Sequence, residues 1–329
     1  MKKIINNPNQ VLQDMVDGLI AANPQRLKKI PETFVIARAD APVQGKVGLV
    51  SGGGSGHEPA HAGYIGKGML DAAVCGEVFT SPTPDQVYEA IKAVDGGAGV
   101  FLVIKNYTGD VMNFEMAAEL AEAEGIQVEK VIVNDDVAVE DSSFTTGRRG
   151  IAGTVFVHKI AGAMADKGAS LEDVKAVAEK VVANVRSMGM ALTPCTVPAA
   201  GNPSFELAED EMEIGIGIHG EPGIDRGTIA TADEIATTLT EKVLEDREFS
   251  GEVAVLVNGL GATPEMELYI MNKKVHDILA DRGINVYKTF VGEYMTSLEM
   301  AGCSVTLLQL DDELKELLDA ESTAPAFRM

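Results

Sequence analysis

What most limits the fold of this chain is the alternation of short apolar runs with longer amphipathic stretches. TFVIAR (33–38), KVGLVS (46–51), MLDAAVCGEV (69–78), GVFLVIKNY (99–107) and VEKVIVND (128–135) each read as a strand. Helix patterns at 84–93 and 112–124 lie between them. Near-continuous apolar strands separated by helices imply a parallel sheet covered on both faces. Two more helices are expected at 151–166 and 171–188, the second behind a Ser-Leu-Glu-Asp start that resembles a cap. TPCTVPAAGNPS then breaks the regularity with three prolines and opens a second unit. That unit reads as strand 212–219, helix 232–245, strand 252–257, helix 264–281, strands 284–290 and 303–310, and helix 311–319. The expectation is two α/β domains, 1–185 with a mostly parallel sheet covered by helices and a smaller 186–329.

Charge narrows the partners. Fifty acids against 27 bases give a net charge of −23. Nucleic acid and anionic membrane are excluded as partners, since phosphate backbones need clustered Lys and Arg. The three cysteines, Cys75, Cys195 and Cys303, are widely separated and form no C-x-x-C pair. Neither a disulfide framework nor a cysteine zinc site is supported. MKKIINNPNQ lacks the apolar run of a signal peptide, and no apolar run approaches the ~20 residues of a membrane span. A reducing cytoplasm is the expected location.

SGGGSGHEPAH, Ser51 to His61, admits three chemistries. A nucleotide-phosphate loop needs G-x-x-x-x-G-K-[ST] or G-x-G-x-x-G, and both patterns meet His57 where a glycine should stand. HEPAH matches the letters of H-E-x-x-H, but that motif needs both histidines on one face of a formed helix. Pro59 stands between His57 and His61, and a proline inside a helix costs about 3 kcal/mol. No metal is therefore expected. The third chemistry survives: a glycine-rich turn after a strand that presents His57 to a ligand.

In open α/β sheets, ligands gather beyond the carboxyl ends of strands. By that rule Lys105 and Thr108-Gly109-Asp110 follow one strand, and Phe79, Thr80 and Ser81 another. Polar turns are common, so Asp110 alone carries little; the convergence of a lysine, a carboxylate and His57 carries more. MEIGIGIHGEPG (212–223) puts Ile214, Ile216 and Ile218 on one strand face and Gly215, Gly217 and His219 on the other. Glycines there leave room for a ligand beside His219. His158 reads as a core or helix-surface residue, His61 as orienting the turn, and His276 as part of a solvated helix face. SSFTTGRRG (142–150) offers Arg148 and Arg149 to an anion at a helix start, with a capped loop as the plainer reading.

Six stretches carry a resemblance: GLVSGGGSGHEPAHAGYIGKGMLDAAVCGEVFTSP, IKNYTGDVMNFEMAAE, GRRGIAGTVFVHKIAGA, MEIGIGIHGEPG, LVNGLGATPEMELYI and GEYMTSLEMAG. Across essentially its whole length the sequence resembles the dihydroxyacetone-binding subunit of bacterial dihydroxyacetone kinases fed from phosphoenolpyruvate. The resemblance implies a homodimer of two-domain α/β chains. It implies covalent capture of the ketone carbonyl carbon as a hemiaminal on His219, with His57 and Asp110 as acid and base. Gly54, Ser55, Gly56 and Lys105 would hold the substrate's oxygens. It assigns no cofactor to this chain. ADP or ATP with magnesium is expected on a separate kinase subunit, recharged by a phosphocarrier subunit. Two rivals remain on the same residues: a dihydroxyacetone-sensing transcriptional co-activator, and a kinase subunit for another short hydroxyketone such as erythrulose.

Overall fold

The structure is a computed structural model that describes residues 2–141 and 145–329; Ser142, Ser143 and Phe144 of SSFTTGRRG lie outside the described residues. Eight helices are found among these: α1 (Val11–Ala22), α2 (Pro84–Val94), α3 (Thr108–Ala123), α4 (Thr154–Asp166), α5 (Leu171–Asn184), α6 (Ala232–Asp246), α7 (Glu265–Asp281) and α8 (Asp312–Asp319). They cover two six-stranded sheets.

The first sheet uses β1 (Leu27–Lys29), β2 (Val35–Arg38), β3 (Gly48–Ser55), β4 (Ala72–Val78), β5 (Val100–Lys105) and β6 (Val128–Val133), in the order β1-β2-β4-β3-β5-β6. β4, β3, β5 and β6 run parallel, as the buried apolar runs required, and β2 and β1 extend the edge antiparallel. β7 (Val185–Ala191), β8 (Glu211–Ile214), β9 (Asp225–Thr228), β10 (Glu252–Gly259), β11 (Asn285–Gly292) and β12 (Gly302–Leu310) form the second, ordered β11-β10-β12-β7-β8-β9. There only β10 and β11 are parallel neighbours.

Packing follows from which faces are apolar. α2 and α3 bury Val87, Ile91, Phe114 and Ala117 against one face of the first sheet. α6 and α7 cover the outer face of the second with Leu239, Val243 and Val275. Between the sheets lie α4 and α5, whose Phe156, Ile160 and Val177 share one core with Phe101 of β5 and Leu308 of β12. α4 is apolar nearly all round and is buried nearly all round, His158 and Lys159 included. The cap expected at Ser170 is present: its hydroxyl accepts the Asp173 N–H at 3.2 Å. A short hairpin, β13 (Thr323–Ala324) with β14 (Phe327–Arg328), closes the chain against the first unit, where Ala326 N–H donates to the Gly63 carbonyl.

Three expectations needed correction. The helix at 171–188 ends at Asn184, because Val185 onward pairs with β12 as a central strand of the second sheet. The strand at 212–219 stops at Ile214, where Gly215 takes a φ of +80° and turns the chain. The helix expected from 112 begins at Thr108, so Asp110 lies in its first turn instead of a loop. No helix among the described residues is long and apolar enough to cross a membrane.

Candidate active site

Gly52, Gly53 and Gly54 of SGGGSG belong to β3 itself, where they pair with β4, and only Gly56, at a φ of +105°, lies in the bend beyond it. A methyl at Gly52 would overlap the Val74 carbonyl, and one at Gly54 would lie 2.5 Å from Thr80 N. β4 and the Phe79–Thr80 segment that follows it approach too closely for side chains. At Gly53 the space points inward to the site: a Cβ would lie 2.7 Å from Lys105 Nζ, 3.6 Å from Asp110 Oδ2 and 3.7 Å from His61 Nε2.

β5 ends at Lys105 and α3 opens immediately after it, so the two charged groups meet by topology alone. Lys105 Nζ lies 3.5 Å from Asp110 Oδ2, with both side chains buried. Asp110 Oδ1 has no protein partner. The carboxylate therefore keeps an oxygen free for a ligand proton, at the amino end of a helix whose dipole favours its charge.

His57 and His219 come from different sheets and meet at 3.1 Å, Nε2 to Nε2. His57 Nδ1 lies 2.8 Å from the Thr296 carbonyl, which only accepts, so His57 carries its proton on Nδ1. His219 Nδ1 lies 2.9 Å from Glu221 Oε1, and the Glu221 carboxylate likewise only accepts. Both rings thus turn an unprotonated Nε2 toward each other, and the contact is attractive only when the pair shares one further proton. Burial, the His219 ring and Lys105 hold His57 well below the ordinary imidazole value. Burial raises the Glu221 carboxyl, yet the charge and hydrogen bond of His219 and the Arg149 guanidinium outweigh it and hold Glu221 at about 2. The ring of His219 is clasped edge-on by Tyr107 and Phe79, with centroids 4.6 and 5.2 Å away, and Phe79 stacks on His57 at 5.0 Å.

These groups border a cavity of about 510 Å³ lined by Gly54, Thr80, Ser81, Tyr107, Asp110 and His219, among others. That volume suits a small polar molecule. His57 and Lys105 stand just behind the wall. Ser55 and Gly56 are engaged elsewhere: Ser55 Oγ donates to the Gly76 carbonyl at 2.7 Å, and the Gly56 N–H donates to the Glu58 carboxylate at 3.0 Å.

The two histidines of HEPAH diverge. His57 faces His219, whereas His61 Nδ1 contacts His158 Nε2 at 2.9 Å in the core. His158 is thus a buried partner of His61, and burial with the Lys105 charge holds it down at about 3. His276 is half-buried with Nε2 3.0 Å from Thr289 Oγ1, not free on a solvated face. Among the described residues no cluster of three or more His, Cys, Asp or Glu groups has metal-binding spacing.

Residue patterns alone passed over Glu221, Thr296 and the aromatic clasp of Tyr107. Glu221 had a signal, two residues beyond His219 in HGEPG. The room beside Gly217, read as space for a ligand, is taken: a Cβ there would overlap Glu221 Oε2 and lie 2.7 Å from Arg149 Nη1.

Comparison with known proteins identifies the family. The Dak1 domain model matches residues 17–326. A Listeria innocua protein described as the dihydroxyacetone-binding subunit DhaK of a PTS-dependent dihydroxyacetone kinase is 61% identical over 315 residues, 95% of each chain. The structure superposes on the dihydroxyacetone kinase of C. freundii with a TM-score of 0.90 and 37% identity, covering 99% of this chain and 60% of that one. A dihydroxyacetone kinase operon co-activator, DhaQ, gives a TM-score of 0.88 and 38% identity over 95% of this chain and 97% of its own. The chain belongs to the Dak1 family, among the dihydroxyacetone-binding subunits of dihydroxyacetone kinases.

Proposed function

We propose that the chain captures dihydroxyacetone covalently on His219 and presents its terminal hydroxyl to a phosphoryl donor carried by a partner subunit. The observation that carries this reading is the Nε2 to Nε2 contact of His57 and His219, with both Nδ1 atoms committed as donors.

The step balances. The shared proton passes to His57 Nε2, and the lone pair of His219 Nε2 attacks the carbonyl carbon. The C=O π pair moves to oxygen, which takes the proton from His57. The alkylated ring keeps its Nδ1–H and a positive charge that Glu221 balances. A ketone or aldehyde accepts this bond and glycerol does not, so capture selects among molecules of similar size and polarity. Asp110 then takes the proton of the reacting hydroxyl, while Lys105 neutralises charge nearby. Gly54 bounds the substrate closely for want of a side chain, and Ser55 and Gly56 support the strand end behind it. Magnesium and nucleotide belong to the partner in this reading.

The DhaQ likeness supports a second reading, a ligand-sensing co-activator. Sensing needs the capturing histidine alone. The buried Lys105–Asp110 pair at the cavity favours phosphoryl transfer. The discriminating experiment supplies purified chain with ATP and dihydroxyacetone, then adds the nucleotide-carrying subunit and its phosphocarrier system. Product is expected only after the addition; ATP-driven turnover by the isolated chain would contradict the proposal.

Gly53→Ala probes the same wall. Its methyl must push Lys105 Nζ away from Asp110. In the complete system the rate is expected to fall about tenfold to a hundredfold, the usual effect of an ångström-scale misplacement. A wild-type rate in the folded variant would show that Lys105 is not held for catalysis.

A further inference from the structure

Arg149 is one of the largest fully buried side chains of the protein, and the capture step makes no direct use of it. Its Nε donates to Asp136 Oδ2 at 2.8 Å and its Nη2 to the Gly215 carbonyl at 2.8 Å. Nη1 is buried and has no hydrogen-bond partner. The neighbouring Arg148 is different: it reaches outward to Asp246 in a half-exposed bridge. Of the two arginines that SSFTTGRRG offered to an anion, Arg148 thus pairs with Asp246 and Arg149 with Asp136.

Nη1 and Glu221 Oε2 converge on the space beside Gly217, where a Cβ would lie 2.7 Å from the first and overlap the second, without a direct hydrogen bond between the two. Glu221 Oε1 takes the His219 Nδ1–H and Oε2 takes the His219 backbone N–H, each at 2.9 Å. A line in which carboxylates and donors alternate results: Asp136, Arg149, Glu221 and the Nδ1–H of His219. After the charge and hydrogen bond of His219, the Arg149 guanidinium is the next group that favours the ionised form of this buried carboxylate.

We infer that Arg149 is a positioning residue for the nucleophile: anchored on Asp136 and Gly215, it holds Glu221 as a carboxylate against His219 and so fixes the ring with Nε2 toward the ketone. The inference rests on covalent capture by His219. Around Glu221 stand His219 on its own loop, His57 from behind β3, Tyr107 from the β5–α3 junction, and Arg149. Asp136 and Asp135 lie behind Arg149, and Lys105 lies behind His57. Removing a cation from this set raises the proton affinity of every group around it, and removing an anion lowers it. A proton held on His219 Nε2, or on Glu221, opposes capture. The acid limb of capture therefore reports Arg149 with a sign.

The test measures capture of [2-13C]dihydroxyacetone by the full chain labelled with 15N-histidine across pH, using the tetrahedral carbon coupled to nitrogen. In Arg149→Met the acid midpoint is expected to rise by about 1–3 pH units, the scale of one nearby charge. In Arg149→Lys, which keeps the charge, it is expected to stay, and in Asp136→Asn it is expected to fall. A merely structural role would weaken capture at every pH without moving the midpoint. An unmoved midpoint in Arg149→Met, or a rise in Asp136→Asn, overturns the inference. If Arg149→Met does not fold, Asp136→Asn decides: a fall supports the inference, and an unmoved or raised midpoint refutes it. Wild-type chain that shows no nitrogen-coupled tetrahedral signal refutes covalent capture itself, a separate result.

Discussion

Asp110→Asn is expected to bind dihydroxyacetone covalently as the wild type does and to lose most phosphoryl transfer. The side chain lies in the first turn of α3 with Oδ1 unpartnered and Oδ2 3.5 Å from Lys105 Nζ. Asparagine keeps the shape but cannot take the hydroxyl proton, so the loss should be about 10²–10⁴-fold in the complete system. Capture uses other atoms, those of His219 and His57. The check is a paired measurement, adduct formation in the isolated chain and single-turnover product formation with all partners. An unchanged rate for the chemical step would remove Asp110 from the mechanism, and lost capture would move it into binding.

The second large effect is expected at His219→Ala. Among the described residues no other imidazole lines the cavity: His57 stands behind the wall, and His61 and His158 are engaged with each other in the core. Covalent capture should therefore vanish entirely, leaving only hydrogen bonds to the substrate hydroxyls. Those bonds treat dihydroxyacetone and glycerol alike, so glycerol should compete on nearly equal terms in the variant and poorly in the wild type. Some turnover of dihydroxyacetone is expected to persist, because Asp110 and Lys105 remain. Competition assays with both proteins measure this, and unchanged selectivity in His219→Ala would mean that discrimination lies elsewhere.

The strand ends of the first unit were legible because parallel strands buried on both faces write themselves as continuous apolar runs. β3, β4, β5 and β6 stand near the positions that such runs marked. That alone brought Lys105 to one sheet edge beside His57. Period failed where a local pattern served two structures. VVANVRSMG has enough apolar residues to continue a helix, yet from Val185 it pairs with β12, a strand more than a hundred residues away. Likewise the Ile-Gly alternation of 214–219 imitates a strand, while Gly215 at positive φ makes it a turn that wraps around the Glu221 carboxylate.

The site itself was half legible. His57 and His219 each had a local signal, but nothing in sequence spacing says that two histidines 162 residues apart would touch. Thr296, which fixes the tautomer of His57, lies still farther along the chain. The buried line from Asp136 through Arg149 to Glu221 joins three segments and has no period at all. Only the packing of the second sheet's loops over the first makes it.

The central claim is a carbon–nitrogen bond between dihydroxyacetone and His219. It is tested most directly by nuclear magnetic resonance of the full chain labelled with 15N-histidine and mixed with [2-13C]dihydroxyacetone. The account requires a tetrahedral carbon with a one-bond coupling to a single histidine nitrogen, present in the wild type and absent in His219→Asn. A ligand carbon that stays uncoupled in the wild type, or a coupling that survives in His219→Asn, would contradict it.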